Sequence, residues 1–141
     1  MSWAAFAAAA PDLAAAVLER FAIRKHATMA TVRRDGSPRI SGTEVSFDGG
    51  EVRLGSMPDA VKALDLRRDP RVAIHSPTVD PASPSEWAGE AKLAGVVVEE
   101  ESWRFRVDVT EVVLTALGDP PDHLVVTWWT SHGGLRRVER R

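Results

Sequence analysis

A hydroxyl at Ser56, an amine at Lys62 and a guanidinium at Arg39 are the groups in this chain best suited to holding an anion. Ser56 ends a strand-like run and Lys62 lies one turn into a helical one, whose start near Pro58 leaves backbone amides without partners. Such amides carry partial positive charge and favour a phosphate. Lys62 can lean back over them, because helical side chains point towards the N-terminus. Arg39 falls on a neighbouring strand if Asp48-Gly49-Gly50 makes a turn, and its planar fork suits phosphate oxygens. Each residue also has a plain structural reading: Ser56 as a helix cap, Lys62 as a solvated side chain, Arg39 as a stem covering apolar surface. Together they predict a site for a dianionic tail.

Other chemistries lack their residues. The chain has no cysteine, which rules out disulfides and thiolate nucleophiles and accords with a reducing, cytoplasmic setting. His26, His75, His123 and His132 show no zinc-ligand spacing, so no metal is expected. A net charge of -2 argues against nucleic acid as a partner, despite the arginines at positions 136, 137, 140 and 141. The alanine-rich N-terminus lacks a basic leader and is broken by Asp12, Glu19 and Arg20, so neither signal peptide nor membrane span is expected.

The elements that must position these groups follow from periodicity. With 141 residues, 44% of them hydrophobic, one domain over 1–141 is expected. Pro11 opens a helix to about Lys25, with Leu13, Val17 and Phe21 on one face. The period then becomes two, over 27–33 and 39–47 around Asp35-Gly36, then at Val52 and Leu54, giving a three-stranded meander. Helical spacing returns from Pro58 to Arg68 and stops at Asp69-Pro70. A short strand follows over 71–75 with Val72 and Ile74 on one face, then a Pro- and Ser-rich loop over 77–86 able to cover something. Lys92 to Val98 reads as a strand covered on both sides, Glu99-Glu100-Glu101 as a solvated turn, and Trp103, Phe105, Val107 and Val109 as one face of the next strand. A final hairpin pairs 124–129 with 135–138 around His132-Gly133-Gly134. About seven strands, two or three helices and no βαβ alternation predict a mainly β fold, an antiparallel barrel with helices outside.

Thr31-Val32-Arg33-Arg34-Asp35-Gly36-Ser37-Pro38-Arg39, Gly50-Glu51-Val52-Arg53-Leu54, Lys62, and Leu66-Arg67-Arg68-Asp69-Pro70-Arg71-Val72-Ala73-Ile74-His75 together resemble the pyridoxamine 5′-phosphate oxidase-like split-barrel superfamily. The likeness is close over 13–75 and holds only in outline beyond. It implies a six-stranded antiparallel split β-barrel, a homodimer, and FMN or a deazaflavin coenzyme in clefts between the subunits. It also implies that Arg39, Ser56 and Lys62 meet the phosphate and that Ile40, Ser41, Gly42 and Thr43 run along the flavin ring, with Met57 where the ring or its side chain passes; Trp128 is a further candidate cofactor contact from strand alternation alone. Gly42 permits close approach.

Two departures bear on activity. The C-terminal run Leu135-Arg136-Arg137-Val138-Glu139-Arg140-Arg141 does not reproduce the arginine and histidine set with which the vitamin-forming oxidases grip their substrate, so that reaction is not expected. Glu44 stands where many relatives carry an apolar residue, facing either the cleft or solvent. Because a flavin itself performs hydride transfer, the lack of a triad is compatible with an enzyme. Trp87, Trp128 or Trp129, and His75 are the candidates for substrate contact, and alternation puts the two adjacent tryptophans on opposite faces. The expected function is a flavin-dependent oxidoreductase acting on a small molecule; the alternative is a non-catalytic flavin or small-ligand binding module.

Overall fold

The computed structural model describes residues 1–141. Its eight strands are β1 (His26–Val32), β2 (Pro38–Ser46), β3 (Val52–Gly55), β4 (Arg71–His75), β5 (Glu90–Glu101), β6 (Arg104–Leu117), β7 (Leu124–Thr130) and β8 (Gly134–Arg140). Three helices accompany them, α1 (Trp3–Ala9), α2 (Pro11–Ala22) and α3 (Val61–Arg68). All pairings are antiparallel, in the order β3-β2-β1-β4-β5-β6-β7-β8. A further pairing of β3 with β6, Val52 opposite Val107 and Leu54 opposite Phe105, closes the first six into a barrel. β7 and β8 continue the sheet past the closure as a hairpin. No helix is long and apolar enough to cross a membrane.

The barrel interior comes from the inward half of each alternating strand: Met29, Val52, Leu54, Val72, Ile74, Leu93, Phe105, Val107 and Val109, all buried. α2 caps it with Leu13, Val17 and Phe21, the face its periodicity marks, and Pro11 sits in its first turn. α1 adds Trp3 and Phe6, which join Phe21, Phe47 and Trp129 in an aromatic cluster with ring centroids 4.7–5.2 Å apart.

The meander, the strand at 71–75 and the last hairpin stand where the sequence puts them. Four features differ. The N-terminal helix stops at Ala22, short of Lys25, and α1 precedes it, capped by the Ser2 hydroxyl accepting from the Ala5 N–H. The strands number eight, against about seven expected, and β5 runs through all three glutamates to Glu101 instead of turning there. It is not covered on both sides: Ala91, Leu93 and Val97 are buried while Lys92, Val96 and Val98 are exposed. Trp103, expected to open the next strand's inner face, sits in the turn itself with φ 66°. Finally, Pro58 does not start α3. Asp59 takes φ 59° and Ala60 closes a turn onto the Met57 carbonyl (3.2 Å), so the helix begins at Val61.

Candidate cofactor site

α3 lies against the β1–β2 edge of the barrel, and the two sides of the helix carry opposite kinds of charge cluster. On the first, Asp65 is 2% exposed and accepts three hydrogen bonds: from the Thr31 hydroxyl (2.7 Å), from Arg39 Nε (2.7 Å) and from an Arg68 Nη (2.8 Å). Thr31 and Arg39 are register partners on β1 and β2, which is why both reach one carboxylate. Burial pushes the Asp65 carboxyl up, but the hydrogen bonds from Arg39, Thr31 and Arg68 outweigh it and hold the group below its ordinary value. The cluster pins α3 to two strands, and both of its guanidinium groups are engaged by the one carboxylate.

On the second side lies an open groove of about 870 Å³, lined by β2, β3, the segment Ser56–Pro58, Lys62 and the turn Ser102–Arg104. Lys62 Nζ donates to the Gly42 carbonyl (2.8 Å) and has no carboxylate within ion-pair distance. Ser56 donates its hydroxyl to the Met57 carbonyl (3.0 Å) rather than capping α3, which has no side-chain cap. The Ala63 and Leu64 amides are taken by the Ala60 carbonyl, leaving those of Val61 and Lys62 without backbone partners at the helix start. Gly42 and Gly55 form part of the floor; neither has a positive φ, and a Cβ added at either would touch nothing within 4 Å. Their bareness widens the groove instead of serving a turn. Glu44 lines the same groove while facing solvent, 3.4 Å from His26 and 3.6 Å from Lys25.

Of the residues singled out from sequence, the groove gathers Gly42, Thr43, Ser56, Met57 and Lys62. Arg39 and Ser41 do not line it: Arg39 shares a face of β2 with Thr43 but lies nearer the β1–β2 turn, where it reaches Asp65 instead. Ile40 is 75% exposed and lines a separate hollow of about 340 Å³ on the outer sheet face, with Ala30, Ala73, Ala94 and His75. His75 lies 3.2 Å from the Glu90 carboxylate there, away from the groove. Trp128 is not among the residues lining the groove; on β7 it lies opposite Val113 of β6 and Arg136 of β8. One chain therefore does not bring Trp128 to the groove. Trp129 is its buried counterpart, against Phe6, as alternation requires. Trp87 lies in the 77–89 loop, outside the groove.

Sequence reasoning passed over Arg104, Trp103 and Gly55, which all line the groove. Arg104 reads as one more outward residue of an alternating strand, and Gly55 as a strand end. Only the pairing of β3 with β6, which puts Gly55 opposite Arg104, joins them to Ser56.

No protein-family model and no curated protein sequence matches the chain. Solved structures do match. PhzG from Burkholderia lata 383 superposes with a TM-score of 0.66 at 10% identity over 99% of this chain and 93% of that one. A pyridoxamine 5′-phosphate oxidase-related, FMN-binding protein from Nostoc punctiforme PCC 73102 gives 0.62 at 12% identity over 94% and 96%. A heme-binding protein from Mycobacterium smegmatis gives 0.57 at 15% over 89% and 87%. Likenesses at such identities establish architecture. The chain has the split-barrel fold of pyridoxamine 5′-phosphate oxidase-related proteins, with a closed six-stranded antiparallel barrel, two added strands and three helices.

Proposed function

We propose that the chain binds a flavin, with FMN preferred over a deazaflavin coenzyme, and works as a flavin-dependent oxidoreductase on a small molecule. The observation carrying this reading is the Lys62 ammonium, projecting into a groove of about 870 Å³ with no carboxylate to neutralise it. Beside it stand the Ser56 hydroxyl and two unpartnered helix amides, a donor set suited to a phosphate dianion. Along the groove, Met57, Leu54, Val45 and the bare Gly42 offer a partly apolar stretch against which a planar ring can lie. When bound, the flavin supplies hydride transfer; the chain binds it, orients it and screens one side from water. Arg39 has a supporting part, holding β2 to α3 through Asp65.

The reading includes a homodimer. The outer face bearing Ile40, Ala30, Ala73 and Ala94 is apolar and hollow, and a two-fold partner laid there would cover it. Light scattering at micromolar protein should give twice the mass of one chain, and Ala73→Arg should halve it; a monomeric wild type contradicts the dimer.

The function itself is tested by reconstitution with FMN and with a deazaflavin, followed by anaerobic reduction and reoxidation with candidate acceptors. Stoichiometric binding with turnover supports the oxidoreductase. Flavin that binds and never turns over supports a non-catalytic module, and failure to bind either cofactor removes the reading.

A further inference from the structure

The turn between β5 and β6 is held more firmly than a hairpin connection requires. Trp103 adopts φ 66°, uncommon for a bulky side chain. Its N–H donates to Glu99 Oε2 (2.9 Å), and its carbonyl accepts from the Ser56 N–H (3.0 Å). The Arg67 guanidinium lies 3.6 Å over its ring and is itself fixed to Glu99 by two hydrogen bonds of 3.0 and 2.7 Å. The conformation thus ties the turn to α3 on one side and to Ser56 on the other.

The next residue, Arg104, lines the groove with Trp103. Of the two groove arginines, Arg53 is matched by Glu100 at 3.0 Å, whereas Arg104 has no carboxylate within 4.0 Å. Opposite Arg104 in register is Gly55, where open space replaces a side chain. The groove accordingly has a second cation outside any ion pair, with Glu101 as its register partner on β5, next to an indole held by Arg67 and opposite a bare strand position.

We infer that Trp103 and Arg104 form a second subsite of the groove, which takes a planar aromatic carboxylate: the ring meets Trp103 and the carboxylate pairs with Arg104. The subsite rests on the flavin reading for its role, as the place of the substrate beside the cofactor, but its binding chemistry can be measured with or without FMN. It specifies a substrate class: a flat, singly charged acid.

The test is calorimetric titration of the full-length protein, alone and with excess FMN, using 2-naphthoate and its neutral isostere 2-naphthamide. The naphthoate should bind roughly tenfold more tightly than the amide, the difference a charge-assisted pair makes. Arg104→Ala should erase that preference, and Arg104→Lys should restore part of it. Gly55→Val, which fills open space on a strand, should weaken both probes while circular dichroism stays native. Equal binding of acid and amide by the wild type, or an unchanged preference in Arg104→Ala, overturns the subsite. If FMN itself fails to bind while the naphthoate preference depends on Arg104, the flavin reading falls and the subsite stands.

Discussion

Two clusters of cations flank α3, and they differ in one physical respect. Around Asp65 the cations are engaged by the fold itself, with Arg39 and Arg68 both hydrogen-bonded to a carboxylate that is 2% exposed. In the groove, half-buried Lys62 and exposed Arg104 have no carboxylate within 4.0 Å. A cation whose partner is built into the fold holds elements together; a cation left without one is available to a ligand. From residue types alone Arg39 and Lys62 look alike, yet Arg39 is paired with Asp65 and Lys62 with no carboxylate.

The largest effect should come from breaking the Asp65 cluster. Asp65→Ala strands two guanidinium groups beside a vacated buried position and should destabilise the fold by about 3–5 kcal/mol, the usual consequence of removing one member of a buried pair. Denaturant unfolding measures it, and a loss under about 1 kcal/mol would mean the cluster contributes little. Arg39→Ala leaves Arg68 and Thr31 on the carboxylate, so about 1–3 kcal/mol is expected. Thr31→Val removes one neutral donor, and its loss should be about 1 kcal/mol.

The Asp65 cluster also carries a pH signature. The folded-state pKa of Asp65 lies below its ordinary value of 3.8, so the carboxylate stabilises the fold fully above that value and loses the contribution as pH falls through the folded one. Wild-type stability should therefore decline on acidification below about pH 4, and Asp65→Asn should decline less over the same interval. Parallel acid-unfolding curves for the two proteins would count against the cluster as an acid-sensitive support. Arg104 variants, by contrast, should shift stability by no more than about 0.5 kcal/mol, since that side chain is exposed and makes no ion pair.

Much of this architecture was legible before any coordinates. The Asp35-Gly36 hairpin, the strand at 71–75 and the final hairpin follow from local turn chemistry and period-two alternation, which need no information about distant neighbours. What was hidden depended on tertiary pairing. β3 against β6 closes the barrel and brings Arg104 to Ser56, a contact between residues far apart in the chain. The alanine-rich α1 lacks a polar face to set its period, so its aromatic anchoring by Phe6 and Trp3 is invisible locally. The early end of α2 and the late start of α3 are boundary effects of a few residues. Arg39 illustrates an effect of place along a strand: it shares a face of β2 with Thr43, yet it lies opposite Thr31 and within reach of the Asp65 carboxylate, which only the packing of α3 reveals.

The central claim is that Lys62, and not Arg39, meets the anionic end of the ligand. The direct measurement is the ratio of FMN to riboflavin affinity in the wild type, Lys62→Ala and Arg39→Ala, because riboflavin lacks only the phosphate. Lys62→Ala should lose roughly ten- to a hundredfold in FMN affinity, with riboflavin unchanged, so the ratio collapses. Arg39→Ala should keep the wild-type ratio under conditions where it remains folded. A ratio that survives in Lys62→Ala and collapses in Arg39→Ala would contradict the account.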